Sequence, residues 1–229
     1  MTVYYPVYLD LHDRSCVVVG GGAVAARKVD GLLECGARVA VIAPTLVPAL
    51  EALWHAGHIA VRQRPFTASD LDGAVLVIAA TNDAAVNAQV AREARARGIW
   101  VNVVDDPAHC DFILPAVVRR GDLQIAVSTG GRSPALARWV REDLERRLPA
   151  EYGALLALVA DLRQELRRAG VAVPPERWQR AVDDEVLARL RAGDPAGARA
   201  RLRAALLPAP APPGPFSEAW ARCWSWSWA

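Results

Sequence analysis

The first half of the chain alternates short apolar runs with amphipathic stretches. The runs are four to seven residues long, which suits strands buried on both faces of a sheet, and they cover 15–19, 38–43, 59–62, 74–80 and 99–104. Most of the stretches between them carry apolar residues at helical spacing. Strands that alternate with helices predict an α/β domain with a doubly wound parallel sheet, which we place over residues 1–113.

The pattern changes in the middle of the chain. Two short apolar runs joined by a polar turn, 116–119 and 123–127, predict a hairpin. Ser133 and Pro134 then form a strong helix start, with serine as the cap and proline at the first helical position. We treat residues 114–149 as a separate central region.

The last third of the chain is predicted to be helical and then irregular. Amphipathic stretches predict three helices in a region over 150–207, namely 151–169, 176–192 and 195–206. Residues 208–229 are rich in Pro and Ala and then in Trp, and they have no periodic apolar face, which predicts a disordered tail. At the other end, residues 3–11 suit either a short strand or a lead-in segment.

The first apolar run ends at a glycine-rich turn, which a helical pattern follows at once. Gly20, Gly22 and Ala25 match the G-x-G-x-x-G/A spacing of dinucleotide-binding loops, and Gly21 lies within that spacing. The first glycine permits a tight turn and the second lets a pyrophosphate approach the backbone. The helix offers phosphates free N–H groups and its positive dipole end. The spacing also suits a tight turn without a ligand.

The second strand ends without the acid that often binds the ribose in such folds. Pro44 and Thr45 stand there instead, which leaves NAD and NADP open, and Thr45 is the best substitute contact through its hydroxyl or backbone. The run at 74–80 delivers Thr81 and Asn82 to the same edge of the sheet. Ligands bind at that edge in open α/β sheets, so both residues are candidate cofactor contacts.

Asp105 follows the last strand of the sheet and is our candidate catalytic residue. A carboxylate at this edge can accept a proton while a hydride leaves to NAD⁺. Asp105 suits a turn or helix cap equally well, and Asp106 favours a structural role because it precedes proline. The polar residues at 109–111 favour a loop over a metal site, because adjacent residues rarely converge on one ion.

A second candidate site follows the predicted hairpin. Two hydroxyl residues, two glycines and a capped helix start form a site for anions, and arginines surround it in the sequence. A polycarboxylate substrate would suit this locally basic region, whereas the arginines further along the helix suit an ordinary solvated face. The candidate substrate-binding residues are Ser128, Thr129, Gly130, Arg132, Arg138 and Arg120.

Composition narrows the class of protein. The 229 residues carry a net charge of +2, which argues against a dedicated nucleic-acid binder. Of the 27 basic residues only Lys28 is a lysine, and the four cysteines form no C-x-x-C pair, so neither a zinc site nor a disulfide framework is indicated. No signal peptide and no membrane-spanning run is found, which predicts a cytoplasmic protein without a membrane contact.

Several motifs in collinear order resemble the precorrin-2 dehydrogenase family. The resemblance covers about residues 4–150 and is far more specific than the glycine loop alone. Its motifs are 5–9 (YPVYL), 17–28 (VVVGGGAVAARK), 41–45 (VIAPT), 79–87 (AATNDAAVN), 102–107 (NVVDDP), 112–116 (FILPA) and 126–138 (AVSTGGRSPALAR).

The resemblance implies a fold, a reaction and several site residues. It implies a Rossmann-type domain, a central dimerisation region, a helical carboxyl-terminal region, and a homodimer. The reaction would oxidise the tetrapyrrole precorrin-2 to sirohydrochlorin with NAD⁺, in sirohaem or cobalamin synthesis, and some relatives also insert Fe²⁺ or Co²⁺. The family's catalytic aspartate falls on Asp105, and its backbone cofactor contacts fall on Ala23, Val24, Pro44 and Thr45.

Two other classes of function remain open at this point. A non-catalytic NAD-sensing module would need the glycine loop but neither Asp105 nor the motif at 126–138, so those motifs count against it. An interaction protein could act through the tryptophan-rich tail at 208–229.

Overall fold

The computed structural model describes residues 3–207 of the chain. A five-stranded parallel sheet forms the centre of the first part of the molecule. Its order is β3-β2-β1-β4-β5, as in a doubly wound fold, so the predicted fold class is confirmed. The strands are β1 (Ser15–Val19), β2 (Arg38–Ile42), β3 (Ala60–Arg62), β4 (Leu76–Ala79) and β5 (Trp100–Val103). The predicted tail at 208–229 lies outside the described residues.

Apolar residues on both faces of the sheet hold its helices in place. Val18 of β1 packs with Val29 in one cluster, and Val17 packs with Val90 in the cluster on the other face. These helices are α1 (Ala23–Glu34), α2 (Pro48–His55) and α3 (Ala84–Ala96), with short 3-10 helices at Ala68–Leu71 and Pro107–His109. Because the strand order reverses at β1, a crevice is expected at the carboxyl ends of β1 and β4.

The remaining elements are a two-stranded ribbon and five helices. The ribbon pairs β6 (Ala116–Arg120) with β7 (Leu123–Val127) in the antiparallel register predicted for a hairpin. The helices are α4 (Pro134–Arg147), α5 (Glu151–Arg168), α6 (Pro175–Ala181), α7 (Asp184–Arg191) and α8 (Pro195–Leu206). Leu162, Leu166 and Leu202 lie in the buried cluster that joins the last helices.

The structure corrects one sequence expectation and decides between two alternatives for another segment. The helix predicted over 176–192 is two helices, because the Asp183 side chain accepts the backbone N–H of Val186 and starts α7 there. Residues 3–11 form no regular strand, which leaves the lead-in segment.

The described chain divides into two compact units. We call the first the sheet unit, which contains residues up to Pro115 together with Ser128–Leu136. The helical unit contains Ala116–Val127 together with the chain from Ala137 onward. The predicted central region 114–149 is therefore shared between the two units. Within residues 3–207, no helix is both long enough and apolar enough to cross a membrane.

Candidate functional site

The glycine loop between β1 and α1 is packed so closely that two of its positions require glycine. Gly20 has a φ of 132°, and a Cβ there would lie 2.4 Å from the carbonyl oxygen of Ala80. A Cβ on Gly21 would lie 1.9 Å from the carbonyl oxygen of Thr45. At Gly22, no described atom outside the residue and its two chain neighbours lies within 4 Å of such a Cβ. Two glycines therefore serve the fold, and the third leaves open space.

The N-terminus of α1 can receive an anion. The helix begins after Gly22, which has no side chain to accept its first N–H groups, and the first turn carries no acid. Ala23 is exposed and Val24 is half-buried at this end. The N–H groups and the positive end of the helix dipole are therefore available beside the open space at Gly22. These residues fit the pyrophosphate of a dinucleotide.

The exit of β2 lies against the same loop. Pro44 and Thr45 are both exposed, and the N–H of Val47 donates to the carbonyl of Gly21 at 2.9 Å. The segment predicted to contact the cofactor thus borders the glycine loop.

At the exit of β4, a buried amide shapes the loop. Asn87 donates to the Thr81 carbonyl at 3.0 Å, and its Oδ1 accepts the Thr81 hydroxyl at 2.7 Å. Asp83 accepts the N–H groups of Ala85 and Val86 and so caps α3. The Thr81 hydroxyl is therefore engaged within the loop, whereas Asn82 is exposed at its tip. Sequence reasoning gave Asn87 no role, although an amide among apolar helix positions was a signal.

Asp105 lies at the exit of β5 in an unusual backbone conformation. Its φ is 59°, in the left-handed region that few non-glycine residues adopt, and the residue is exposed to solvent. The N–H of Val104 still pairs with the carbonyl of Ala79 at 2.9 Å, so the chain turns sharply at Asp105. By contrast, Asp106 lies 2.7 Å from Nδ1 of His109, which agrees with a structural role.

Lys28 is a functional candidate that the sequence interpretation missed. Burial lowers the pKa of its ammonium, and Arg27 lowers it further, whereas the carboxylate of Asp105 acts in the opposite direction. Val104, the neighbour of Asp105, packs against the cluster that contains Val29 of α1. The ammonium thus interacts with the candidate catalytic carboxylate. Its signal in the sequence was that Lys28 is the one lysine among 27 basic residues.

In the second candidate site, the hydroxyl groups define the loop themselves. The Ser133 N–H donates to the Thr129 hydroxyl at 3.1 Å, and the Gly130 N–H donates to the Ser128 hydroxyl at 3.0 Å. Ser133 caps α4 by accepting the N–H of Leu136 at 3.2 Å, as the sequence predicts. A substrate role for this loop stays a prediction.

The arginines assigned to the substrate differ in their surroundings. Arg120 donates to the carbonyls of Leu148 and Glu145 at 2.6 and 2.9 Å, so its guanidinium caps the end of α4. Arg132 and Arg138 are exposed. Arg120 is thus engaged in the fold. A carboxylate contact from Arg132 or Arg138 stays a prediction.

Two of the cysteines, Cys16 and Cys110, are poor candidates for a nucleophile. Burial and, to a smaller extent, Cys35 raise the pKa of Cys16 to about 11, and burial also raises the pKa of Cys110. A thiol in such surroundings stays protonated near neutral pH and is inert. In the part of the chain that the structure describes, no group of three or more His, Cys, Asp or Glu side chains could hold a metal ion.

Family models match both parts of the candidate site. The family described as "Putative NAD(P)-binding" matches residues 7–116, and the family described as "Sirohaem biosynthesis protein central" matches residues 120–147.

Similar proteins agree with these matches. The chain is 47% identical over 183 residues to a sirohaem synthase of Methylococcus capsulatus and 42% identical over 203 residues to one of Methylobacillus flagellatus. These alignments cover 79% and 88% of the chain but only 38% and 44% of the relatives, so the chain spans about two fifths of their length. A solved structure of SirC, precorrin-2 dehydrogenase, matches with a TM-score of 0.70 and 29% identity, over 87% of this chain and 99% of that one.

The fold and the glycine loop define a Rossmann-type NAD(P)-binding protein. The matches to sirohaem synthases and to SirC narrow the class of protein to one family. The chain belongs to the precorrin-2 dehydrogenase family, as its motifs predict.

Proposed function

We propose that this chain oxidises precorrin-2 to sirohydrochlorin with NAD⁺ as the hydride acceptor. The observation that carries the proposal is the match to SirC, precorrin-2 dehydrogenase, which extends over 99% of that chain. The geometry at the carboxyl edge of the sheet supports it. A glycine loop with an uncapped helix N-terminus and an aspartate in a left-handed turn both lie at strand exits of that edge.

The residues divide the work between binding and proton transfer. The backbone of the glycine loop and the segment at Pro44 and Thr45 hold the dinucleotide, which accepts a hydride when bound. Asp105 accepts the proton that leaves the tetrapyrrole, and the Lys28 ammonium interacts with its carboxylate. Ser128, Arg132 and their neighbours bind substrate carboxylates through charge-assisted hydrogen bonds.

An anaerobic assay with precorrin-2 and NAD⁺ tests this proposal. We expect NADH and sirohydrochlorin to form together, and Asp105→Asn to lower kcat by about 10²-fold or more while NAD⁺ still binds. Asp106→Asn is the matched control and should retain most of the activity. An Asp105→Asn enzyme with unchanged kcat would contradict the assigned base, and NAD⁺ binding without turnover in the native chain would favour the NAD-sensing module.

Chelatase activity is a separate prediction from the resemblance. The same preparation can be given sirohydrochlorin with Fe²⁺ or Co²⁺ under anaerobic conditions. Insertion no faster than the spontaneous rate would leave a dehydrogenase alone. A cytoplasmic location likewise stays a prediction.

We also propose that the chain forms a homodimer through α4. Ala137 is the one residue of this helix that is buried, whereas Leu136 and Trp139 are 50% and 61% exposed. Exposed apolar side chains on one helix are typical of a subunit interface. Light scattering should give a dimer, and Trp139→Ser should weaken it, whereas Trp54→Ser on α2 should not. A monomer in the native chain would contradict the proposal.

A further inference from the structure

A buried carboxylate holds two arginines at the exit of β3. The side chain of Asp70 has no solvent exposure. Its Oδ1 accepts Nη1 of Arg62 at 2.5 Å, and Arg64 donates to both carboxylate oxygens, at 2.6 and 2.8 Å. We call these three residues the arginine clamp.

The clamp is fixed by its surroundings. The N–H of Thr67 and its hydroxyl also donate to Asp70, at 2.8 and 3.1 Å. Burial alone would raise the pKa of Asp70, but the hydrogen bonds from Arg64, Thr67 and Arg62 hold it well below its usual range. The carboxylate therefore stays charged at any working pH and offsets part of the charge of the two guanidinium groups.

The clamp lies next to the exit of β2, which borders the adenosine half of a bound dinucleotide in such folds. Arg62 pairs in register with Ile42, and its carbonyl accepts the N–H of Ala43 at 3.3 Å. Pro44 and Thr45 follow directly, against the glycine loop. The ribose 2′ position of a dinucleotide lies at this exit in such folds.

This exit lacks the usual means of choosing between NAD and NADP. An acid after β2 commonly binds the free 2′-hydroxyl of NAD, and a nearby arginine accommodates the 2′-phosphate of NADP. The chain has no acid at 43–45, and it has two arginines one strand away. Unclamped, these guanidinium groups would favour the more highly charged cofactor.

We propose that Asp70 determines the preference of this chain for NAD over NADP, by holding Arg62 and Arg64 away from the ribose 2′ position. The proposal rests on the dinucleotide site of the proposed function, but it concerns cofactor binding and not turnover. Selectivity then comes from a carboxylate that does not touch the cofactor, in place of the missing acid after β2.

Direct binding of both cofactors tests the proposal. Asp70→Asn keeps the shape of the side chain and removes its charge, which frees donors for the two negative charges of a 2′-phosphate. We expect the ratio of the NADP⁺ Kd to the NAD⁺ Kd, measured by calorimetry, to fall by about tenfold. Asp111→Asn is the matched control, because Asp111 also accepts hydrogen bonds from an arginine, Arg95, and from a backbone N–H. The ratio of the two Kd values should not change in this variant.

A second substitution identifies the released group. Adding Arg62→Gln to Asp70→Asn should abolish the gain in NADP⁺ binding. If Asp70→Asn does not fold, as judged by circular dichroism, Arg62→Gln alone tests the proposal. The Arg62 side chain is 51% exposed, so this variant is expected to fold. Without this guanidinium the negative charge of Asp70 is offset less, which disfavours a 2′-phosphate nearby, so the variant should raise the same Kd ratio by about threefold. An unchanged ratio in either folded variant overturns the proposal.

These binding data separate two kinds of failure. Normal NAD⁺ binding without precorrin-2 oxidation would contradict the proposed function and leave the clamp testable. Turnover with an unchanged Kd ratio in Asp70→Asn would retain the dehydrogenase and reject the clamp.

Discussion

The sheet unit and the helical unit use polar residues in opposite ways. Among the described residues, the buried polar side chains are Asp70, Asn87 and Asn102, and all three lie in the sheet unit. Asn87 shapes the exit of β4, and Asn102 on β5 donates to the carbonyl of Phe112 at 2.9 Å. Each one fixes a connection near the ends of parallel strands.

The helical unit instead carries its charges at the surface. Its arginine–carboxylate pairs lie within one helix or between neighbouring elements, and both partners are partly exposed in most of them: Arg189–Glu185, Arg199–Glu165, Arg201–Asp183 and Arg203–Glu165. Exposed pairs contribute little, whereas a buried and fully bonded polar group fixes one geometry. The comparison indicates that the sheet unit is built for positional accuracy and the helical unit mainly for packing.

The largest effect is expected from breaking the packing of the helical unit. Leu202 is fully buried in its apolar cluster, so Leu202→Ala should lower the free energy of unfolding by about 2–5 kcal/mol. Leu158 only packs against the edge of that cluster, and Leu158→Ala should cost less. Urea unfolding measures both variants, and equal losses would contradict a unit held by one central cluster.

Two adjacent glycines test positional accuracy in the sheet unit. Gly21→Ala places a methyl group against the Thr45 carbonyl and should destabilise the fold by about 1–3 kcal/mol. Gly22→Ala enters open space, so the free energy of unfolding should hardly change while the NAD⁺ Kd rises by about tenfold. Thermal unfolding and calorimetry separate the two effects. A destabilised Gly22→Ala protein that binds NAD⁺ normally would contradict this division of roles.

The elements of the sheet unit could be predicted because each depends on local sequence. Short runs of buried residues gave the strands within two residues of their ends. Ser133 gave a helix start, because its side chain accepts a backbone N–H only three residues away. In the helical unit the same reasoning missed the break before α7. Asp183 stands in an amphipathic stretch where an acid suits the solvated face of a longer helix equally well.

In the candidate site, contacts between residues far apart in the sequence could not be predicted either. Asp105 and the glycine loop could be found from their positions after apolar runs. The interaction of Lys28 with Asp105 joins residues far apart in the chain, and so does the capping of α4 by Arg120. The arginine clamp spans only nine residues, yet its burial depends on how the 3-10 helix packs. No spacing rule predicts such contacts, because packing decides them.

A smaller effect is expected from acid on the helical unit. Hydrogen bonds from Arg201 and from the Val186 N–H lower the pKa of Asp183 to about 2, compared with about 4 in an unfolded chain. The unfolded state therefore binds the proton first, and the stability that this group contributes above pH about 4 is lost as the pH falls towards about 2. Asp183→Asn keeps the helix cap and should lower the dependence of Tm on pH in that window. An unchanged slope would contradict the assignment.

The smallest effect is expected at an exposed ion pair of the helical unit, and a pair with a buried acceptor in the sheet unit serves as its control. Arg189 and Glu185 are 41% and 47% exposed, so Arg189→Gln should lower the free energy of unfolding by less than about 1 kcal/mol, and added salt should reduce the difference. Arg64→Gln leaves the buried Asp70 with one partner fewer and should cost about 1–3 kcal/mol. Urea unfolding at low and high salt measures both. Equal losses would mean that burial of the acceptor does not distinguish the two units.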